Sequence, residues 1–299
     1  MVGAMNARST GLNVAPRQTR RSWLGLAVAS LLPGAALTGC ERVQQALQPT
    51  PVLKVIEERQ TQFGRLAVVE VQRKRYLAYG PGSEIVYQSV LDLDRPLELA
   101  ASYQRLMMLG VVYAEPHARM LQIGVGAGNM TGYALRNFPG AVVDAVDIDR
   151  HAVELGARHF GLAPHPRLRV HIQDGRAWLE ASQAQFDVIM LDAYDDKSIP
   201  PALMDATFFA TVAAHLAPGG VVMQNVYLPG VDTRRLLPAL RSALPQVDVY
   251  RIGDSAVLAA YRGSARTPQA LQARAQALDA ALRPVHPLAG LLEFRVGPL

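Results

Sequence analysis

Five short apolar segments alternate with helical patterns through the middle of the chain, and this alternation restricts the possible folds more than any other feature. Helical spacing of apolar residues separates most of the segments, notably over residues 151–160 and 205–216. Strands and helices in alternation predict an α/β fold with a doubly wound parallel sheet, whose ligands bind at the carboxyl ends of the strands. The predicted strands cover residues 120–123, 142–146, 168–172, 186–191 and 221–226.

The segments on either side of this region predict a second, smaller domain and further elements of the large one. β-branched stretches interrupted by Gly80, Pro81 and Gly82 are typical of antiparallel hairpins. We therefore expect a small antiparallel β domain over residues 53–95 and the α/β domain over residues 96–299. The remaining predicted elements are strands at 66–71, 76–79, 85–90, 247–251 and 256–261, and helices at 97–112, 233–244 and 267–282.

The positive charge of the chain is concentrated at its amino end. The sequence has 30 basic and 25 acidic residues, and its first 39 residues contain four arginines and no acid. Without that segment, 26 basic and 25 acidic residues remain. A nearly neutral body offers few contacts that neutralise phosphate groups, so we expect no nucleic-acid partner.

The same amino-terminal segment has the pattern of an export signal. Arg20 and Arg21 precede an apolar run over residues 23–37, which is short for a membrane-spanning helix. This pattern predicts a signal peptide over residues 1–39. The paired arginines also resemble a twin-arginine signal, which exports proteins that have already folded, although such pairs are common in ordinary signals.

Cys40 is the only cysteine, and it directly follows the predicted signal peptide. Small residues before it resemble the lipobox of bacterial lipoproteins, in which the cysteine thiol carries a diacylglycerol. We expect lipidation of Cys40, a tether over residues 40–52 and a membrane-anchored place in the bacterial cell envelope. The alternative is a buried or incidental thiol at the end of a membrane anchor, and the location is cytoplasmic if the signal prediction is wrong.

A glycine-rich turn and two acids follow the first three predicted strands. Gly124, Gly126 and Gly128 come directly after the first strand, where glycine lets the backbone pass close to a ligand. Asp147 ends the second strand and is placed to accept the hydroxyls of a ribose, while Asp174 and Gly175 follow the third. Singly, an acid here could be a helix N-cap, but the three signals together favour a nucleoside site over a cap.

A nicotinamide dinucleotide is a less favoured ligand for the same turn. In the dinucleotide fingerprint a third glycine occupies the position that Asn129 has in this chain. The sequence therefore predicts a single nucleoside, of the kind found in S-adenosylmethionine (AdoMet) or its decarboxylated form.

Asp192 and Asp195 follow the fourth predicted strand. Two carboxylates three residues apart in a turn can face one cavity and hold a cationic amine. The histidines of the chain, in contrast, show no metal-ligand spacing with acids or cysteine, so we expect no metal.

From about residue 62 to residue 261 the chain resembles the spermidine synthase family of polyamine aminopropyltransferases. The resemblance implies a fold like that of class I AdoMet-dependent methyltransferases, a Rossmann-like sheet, behind a small β domain. It implies decarboxylated AdoMet as co-substrate and a small-molecule amine such as putrescine as acceptor. A homodimer is the expected assembly, since family members are often dimers. The implied catalytic residues are Asp192, Asp195 and Tyr103.

The resemblance also assigns binding roles. The residues implied to hold the co-substrate are Gly124, Gly126, Gly128, Asp147, Asp174, Gly175 and Gln104, and those implied to bind the acceptor are Asp195, Tyr103 and Gln224.

Two positions depart from the family pattern. Ala127 stands where the family usually has an aspartate that holds the amino group of decarboxylated AdoMet. Arg105 replaces the glutamate that commonly follows the Tyr-Gln pair, and we expect it to reverse the charge near the pocket. Two alternatives follow: a methyltransferase that uses intact AdoMet, or a non-catalytic envelope lipoprotein that retains the nucleoside-binding fold.

Overall fold

The computed structural model describes residues 53–80, 86–114, 119–195 and 198–297, which form two β-sheets with helices around the larger one. The predicted signal peptide, the predicted tether and Cys40 lie outside the described residues and stay predictions. Within the described part of the chain, no helix has the length and apolar character needed to cross a membrane.

The small sheet has four antiparallel strands in the order β1-β2-β3-β4. Three of them correspond to the predicted hairpin strands, whereas β1 was missed, because seven of its eight residues lie at or near the surface and give no apolar alternation. The strands are β1 (Lys54–Thr61), β2 (Gly64–Val71), β3 (Lys74–Tyr79) and β4 (Val86–Asp92).

The large sheet has eight strands in the order β12-β10-β11-β9-β8-β5-β6-β7. Its first five strands along the chain pair parallel to one another, and the last three form antiparallel pairs with their neighbours. The Rossmann-like fold class is thus confirmed, with a mixed rather than wholly parallel sheet. The strands are β5 (Arg119–Ile123), β6 (Val142–Asp147), β7 (Leu168–Ile172), β8 (Phe186–Leu191), β9 (Leu216–Tyr227), β10 (Gln246–Ile252), β11 (Ser255–Tyr261) and β12 (Arg295–Val296).

Helices connect the strands, and aspartate or threonine side chains cap the amino ends of five of them. Two short 3₁₀ turns cover Pro201–Leu203 and Leu292–Phe294. The α-helices are α1 (Ser102–Met107), α2 (Gly110–Tyr113), α3 (Asn129–Asn137), α4 (Arg150–His159), α5 (Gly175–Ala181), α6 (Ala206–Ala214), α7 (Thr233–Ala243), α8 (Pro268–Leu282) and α9 (Leu288–Leu291).

The single helix predicted over residues 97–112 is wrong, because α1 and α2 are separate. Between them the N–H groups of Met108 and Leu109 bond to the carbonyls three residues back, so the backbone is tightened there. The segment is also buried on nearly all sides from Leu106 to Tyr113. Its apolar residues therefore reflect burial rather than one face of a long amphipathic helix.

Apolar side chains cover both faces of the large sheet and also join the two sheets. The joining cluster contains Leu66, Val68 and Leu77 of the small sheet, and on the other side Ala127 and Leu155. Because Ala127 belongs to the glycine-rich turn after β5, this cluster fixes the small sheet beside that turn.

Candidate active site

A cavity of about 850 Å³ lies between the carboxyl ends of β5, β6 and β8 and the inner side of the small sheet. Its walls are formed by the glycine-rich turn, the residues that follow β6, β7 and β8, and part of the small sheet. The lining residues used below are Tyr79, Gln88, Ser89, Gln104, Gln122, Gly124, Gly126, Asp147, Asp149, Asp174, Gly175, Asp192, Tyr194 and Asp195.

The glycine-rich turn has no space for side chains at its glycines. Gly124, Gly126 and Gly128 all have positive φ angles, which strain other residues. A Cβ atom on Gly124 would lie 2.3 Å from the carbonyl oxygen of Asp192, and one on Gly126 would lie 2.8 Å from Oγ of Ser89. Gly124 and Gly126 line the cavity, whereas Gly128 packs against Leu162 outside it.

Asp147 lies at the cavity wall, and its carboxylate holds the turn in place. Its Oδ2 atom accepts hydrogen bonds from the N–H groups of Val125 at 2.7 Å and Gly126 at 2.9 Å. Its Oδ1 atom accepts one from the N–H of Asp149 at 2.8 Å. Burial raises the pKa of Asp147 above its ordinary value, and the three N–H donors oppose that shift.

Asp174 and Asp149 both cap helices and both line the cavity. Asp174 accepts a hydrogen bond from the N–H of Ala177 at 2.9 Å, and Asp149 accepts one from the N–H of His151 at 2.9 Å. Asp149 also accepts a hydrogen bond from the hydroxyl of Tyr79 in the small sheet. An acid that caps a helix at this edge of the sheet therefore also lines the cavity, so the two roles do not exclude each other.

Gly175 lies beside Asp174 where α5 begins. A Cβ atom there would lie 2.4 Å from Cγ2 of Ile123, so only glycine fits without displacing the Ile123 side chain. The close approach of α5 to the end of β5 keeps Asp174 at the cavity.

Asp192, directly after β8, accepts two hydrogen bonds from uncharged donors. The hydroxyl of Tyr103 donates to Oδ2 at 3.1 Å, and Nδ2 of Asn225 donates to Oδ1 at 2.7 Å. Burial raises the pKa of Asp192 to about 7, and both hydrogen bonds oppose the rise while Asp147 adds to it. A carboxylate with a pKa near neutrality can accept a proton from a reacting group.

Asp195 is exposed at the edge of the same cavity, three residues beyond Asp192. Its backbone N–H donates to the carbonyl of Ser198 at 2.9 Å, and its carbonyl accepts from the N–H of Ser198 at 3.1 Å. Tyr194 anchors the loop, because its hydroxyl donates to the carbonyl of Asn225 at 3.1 Å and accepts from the N–H of Tyr227 at 2.8 Å.

Tyr103 and Gln104 lie on α1 beside Asp192. Burial raises the pKa of Tyr103 well above its ordinary value, so its hydroxyl stays protonated and donates. Gln104 is only 4% exposed and lines the cavity, and its Oε1 atom has no hydrogen-bond partner among the described residues. That atom is a free acceptor for a donor group of a ligand.

Several sequence expectations on the lining residues are not met. Of the residues implied to bind ligands, Gly128 and Tyr103 do not line the cavity, although Tyr103 bonds to Asp192. Arg105 donates from Nε to the carbonyl of Leu99 at 2.7 Å and does not line the cavity, because successive residues on α1 point in different directions. Ala127 is fully buried in the cluster that joins the two sheets. Gln224 is also buried and donates to the carbonyls of Asn225 and Leu191, so it does not line the cavity.

A model described as the spermine/spermidine synthase domain matches residues 101–250, half of the chain. The chain belongs to the spermine/spermidine synthase family.

The proteins similar to this chain include polyamine aminopropyltransferases and methyltransferases. The polyamine aminopropyltransferase of Vibrio vulnificus (strain CMCP6) is 25% identical over 237 residues, covering 77% of this chain and 79% of that protein. A probable spermidine synthase from Corynebacterium glutamicum ATCC 13032 has a similar structure, with a TM-score of 0.58, 20% identity, and coverage of 80% of this chain and 90% of that chain. This likeness confirms the fold class.

A solved methyltransferase structure is also similar to this chain. The structure of human methyltransferase-like protein 13 in complex with SAH matches with a TM-score of 0.56 and 25% identity, covering 62% of this chain and 95% of that chain. The α/β fold of the spermine/spermidine synthase family is therefore similar to that of a methyltransferase.

Several cavity residues of this family member were not found by sequence reasoning. Tyr79, Gln88 and Ser89 line the cavity from the small sheet. Asn225 of β9, which was also missed, does not line it but bonds to Asp192. A possible signal was the polar pair Gln88 and Ser89 inside an otherwise apolar strand. Among the described residues, no group of three or more histidine, cysteine or acidic side chains is arranged to hold a metal ion.

Proposed function

We propose that the protein transfers an aminopropyl group from decarboxylated AdoMet to a diamine such as putrescine. The observation that carries this proposal is Asp192, a carboxylate with a pKa of about 7 at the wall of the nucleoside-type cavity, with Asp195 three residues away. The related polyamine aminopropyltransferases support the same activity.

In the proposed reaction, the neutral amine of the acceptor attacks the propyl carbon that is bonded to the sulfonium. The amine lone pair forms the new C–N bond, and the electrons of the C–S bond return to sulfur, so methylthioadenosine leaves. Asp192 accepts the proton that the new secondary ammonium releases. Tyr103 holds Asp192 by its hydrogen bond, and Asp195 binds the distal ammonium of the diamine.

The rest of the cavity would hold the co-substrate. Asp147, Asp174 and the turn from Gly124 to Gly128 would surround its adenosine, as acids and glycines at strand ends do in such sheets. The unpaired Oε1 atom of Gln104 would accept a hydrogen bond from the ammonium of the aminopropyl chain.

A second candidate is a methyltransferase that uses intact AdoMet. The turn from Gly124 to Gly128 favours it, because it carries no acidic side chain that would repel the methionine carboxylate. The likeness to the human methyltransferase structure with bound SAH supports this candidate as well.

A calorimetric titration with decarboxylated AdoMet, AdoMet and methylthioadenosine distinguishes the candidates. We expect decarboxylated AdoMet to bind more tightly than AdoMet, and putrescine to be converted to spermidine in a coupled assay. The variant Asp192→Asn is the control, and it should bind the nucleoside but not transfer the aminopropyl group. Tighter binding of AdoMet, with methyl transfer and no spermidine, would instead establish the second candidate.

We also propose that the protein is anchored at the bacterial cell envelope through a lipid on Cys40. The sequence pattern around Cys40 is the support for this location. Labelling with a fatty acid should mark the wild type and not Cys40→Ala, and the variant should leave the membrane fraction. If both forms are unlabelled and fractionate alike, the envelope location is wrong and a cytoplasmic transferase follows.

Location also motivates a third possibility, a non-catalytic protein that carries a nucleoside to the envelope. Mass spectrometry of the denatured mature protein checks it. A bound nucleoside together with absent transfer activity would support this possibility, and an empty protein with activity would exclude it.

A further inference from the structure

We propose that Asn225 is a positioning residue that orients the Asp192 carboxylate and stabilises its ionised form. The inference deepens the proposed function, and its kinetic consequence depends on that function. The direct contact is the hydrogen bond from Nδ2 of Asn225 to Oδ1 of Asp192, at 2.7 Å.

The position of Asn225 in β9 brings its side chain to Asp192. Side chains alternate between the two faces of a strand, so Asn225 shares a face with Val221 and Met223, which pack in the cluster that also contacts Tyr103. Gln224 points to the other face. The backbone of Asn225 is held as well, since its carbonyl accepts from the hydroxyl of Tyr194.

The surroundings of Asn225 indicate why an amide side chain, rather than an apolar one, is present at this position. Asn225 is 6% exposed, and its Oδ1 atom is buried without a hydrogen-bond partner among the described residues. A buried acceptor without a partner lowers stability, and an apolar side chain of the same shape would avoid that cost. The bond to Asp192 is therefore the contact that accounts for an amide at this position.

An uncharged donor suits a proton acceptor better than an ionic partner. Hydrogen bonds to an ionised carboxylate favour the charged form, and an adjacent cation would lower the pKa of Asp192 far below neutrality. The titratable groups that face Asp192 are Tyr103, Tyr194 and Asp147. Burial keeps both tyrosines protonated, and Asp147 disfavours ionisation of Asp192. The hydrogen bonds from Asn225 and Tyr103 oppose this effect and offset only part of the rise in the pKa of Asp192.

The direct test is the titration of the Asp192 carboxyl by ¹³C NMR, assigned with Asp192→Asn. We expect Asn225→Leu, which replaces the amide with an apolar group of similar shape, to raise the pKa of Asp192 by about one unit. Asn225→Ser is a second variant for the case in which Asn225→Leu does not fold. Because a hydroxyl on the shorter serine side chain reaches less far, we expect a rise in the same direction.

The matched control is Gln224→Leu, which removes a neighbouring buried amide that bonds only backbone carbonyls. We expect the titration of Asp192 in this variant to match the wild type. Equal titration curves in the wild type, the Asn225 variants and Gln224→Leu would overturn the proposal, whatever the activity of the protein.

The pH dependence of kcat gives a second test, and a purely structural role of Asn225 would not produce the expected result. The acid limb of the kcat profile should move to higher pH in Asn225→Leu by the same amount as the NMR titration, with kcat restored to within about twofold two pH units higher. A loss of kcat that is equal at every pH would overturn the proposal. If the wild type shows no aminopropyl transfer, the proposed function fails, while the NMR titration still decides the role of Asn225.

Discussion

Ala127 is one of the two residues at which this chain departs from the usual family pattern, and its methyl group faces apolar neighbours. It is fully buried together with Leu66, Leu155 and Phe160. A carboxylate at this position would lie among apolar groups rather than in the cavity. The aspartate of the family pattern therefore cannot be restored here by substitution alone.

We predict that Ala127→Asp lowers the free energy of unfolding by about 1–3 kcal/mol, because it buries a polar group without a partner. Urea denaturation measures the loss, and Ala127→Ser, with a smaller polar group, is the control and should lose less. Unchanged stability together with tighter binding of decarboxylated AdoMet would contradict this expectation.

Asp192 should make the stability of the protein depend on pH. Its pKa is about 7 in the folded state against 3.8 as the ordinary value, so the folded state binds the proton more tightly. Stability from this group is then present at low pH and is lost as pH rises from about 4 to 7. We predict that the advantage of Asp192→Asn over the wild type grows by on the order of 2 kcal/mol between pH 5 and pH 8.

Urea denaturation at the two pH values checks this prediction. Asp195→Asn, which changes an exposed carboxylate of the same loop, is the matched control. A constant difference between Asp192→Asn and the wild type at both pH values would show that Asp192 is not buried as described.

Of the residues that sequence reasoning placed at the cavity, the acids lie at or just beyond the ends of parallel strands. Asp147, Asp174 and Asp192 could be placed because strand ends meet at one edge of a sheet. Ser89 and Asn225 could not, because their contacts depend on which strands and turns become neighbours in space. Gln224 and Asn225 differ by one position, and only the register of β9 decides which of them faces Asp192.

At the scale of elements, β4 of the small sheet and the glycine-rich turn act as one structure. Oγ of Ser89 accepts from the N–H of Ala127 at 3.0 Å, and the carbonyl of Val90 accepts from Nδ2 of Asn129 at 3.0 Å. The turn is thus fixed from the small sheet on one side and from Asp147 on the other. Neither contact follows from the local sequence of the turn.

We predict that Ser89→Ala lowers the free energy of unfolding by about 1–2 kcal/mol and weakens methylthioadenosine binding about fivefold, because the buried N–H of Ala127 loses its acceptor. Calorimetry and urea denaturation measure the two effects. Ser242→Ala, on the exposed face of α7, is the control and should change neither quantity. Binding that is as tight in Ser89→Ala as in the wild type would show that the turn keeps its shape without β4.

At the scale of the whole molecule, a ligand in the cavity contacts both sheets. The fold class was predictable because strand and helix periodicities are local, whereas β1 and the division between α1 and α2 were not. The sequence pattern does not predict β1, because most of its residues lie at or near the surface and show no apolar alternation. It does not predict the break between α1 and α2, because that segment is buried on nearly all sides. The cavity itself depends on the packing of the small sheet against the large one.

We predict that methylthioadenosine at 100 times its dissociation constant raises the free energy of unfolding by about 2.7 kcal/mol. Because both sheets form the cavity walls, amide hydrogen exchange should slow in β4 as well as in the glycine-rich turn. Protection limited to the large sheet would show that the small sheet is not part of the binding site.

The contacts of Tyr79, Ser89 and Val90 with the α/β part limit how the halves of such proteins can be recombined. An amino-terminal domain taken from a relative would have to present two hydroxyls and a carbonyl in the same register, or the α/β part would lose these contacts. Chimeras that exchange residues 53–95 alone should therefore be less successful than those that also exchange the segment through α4.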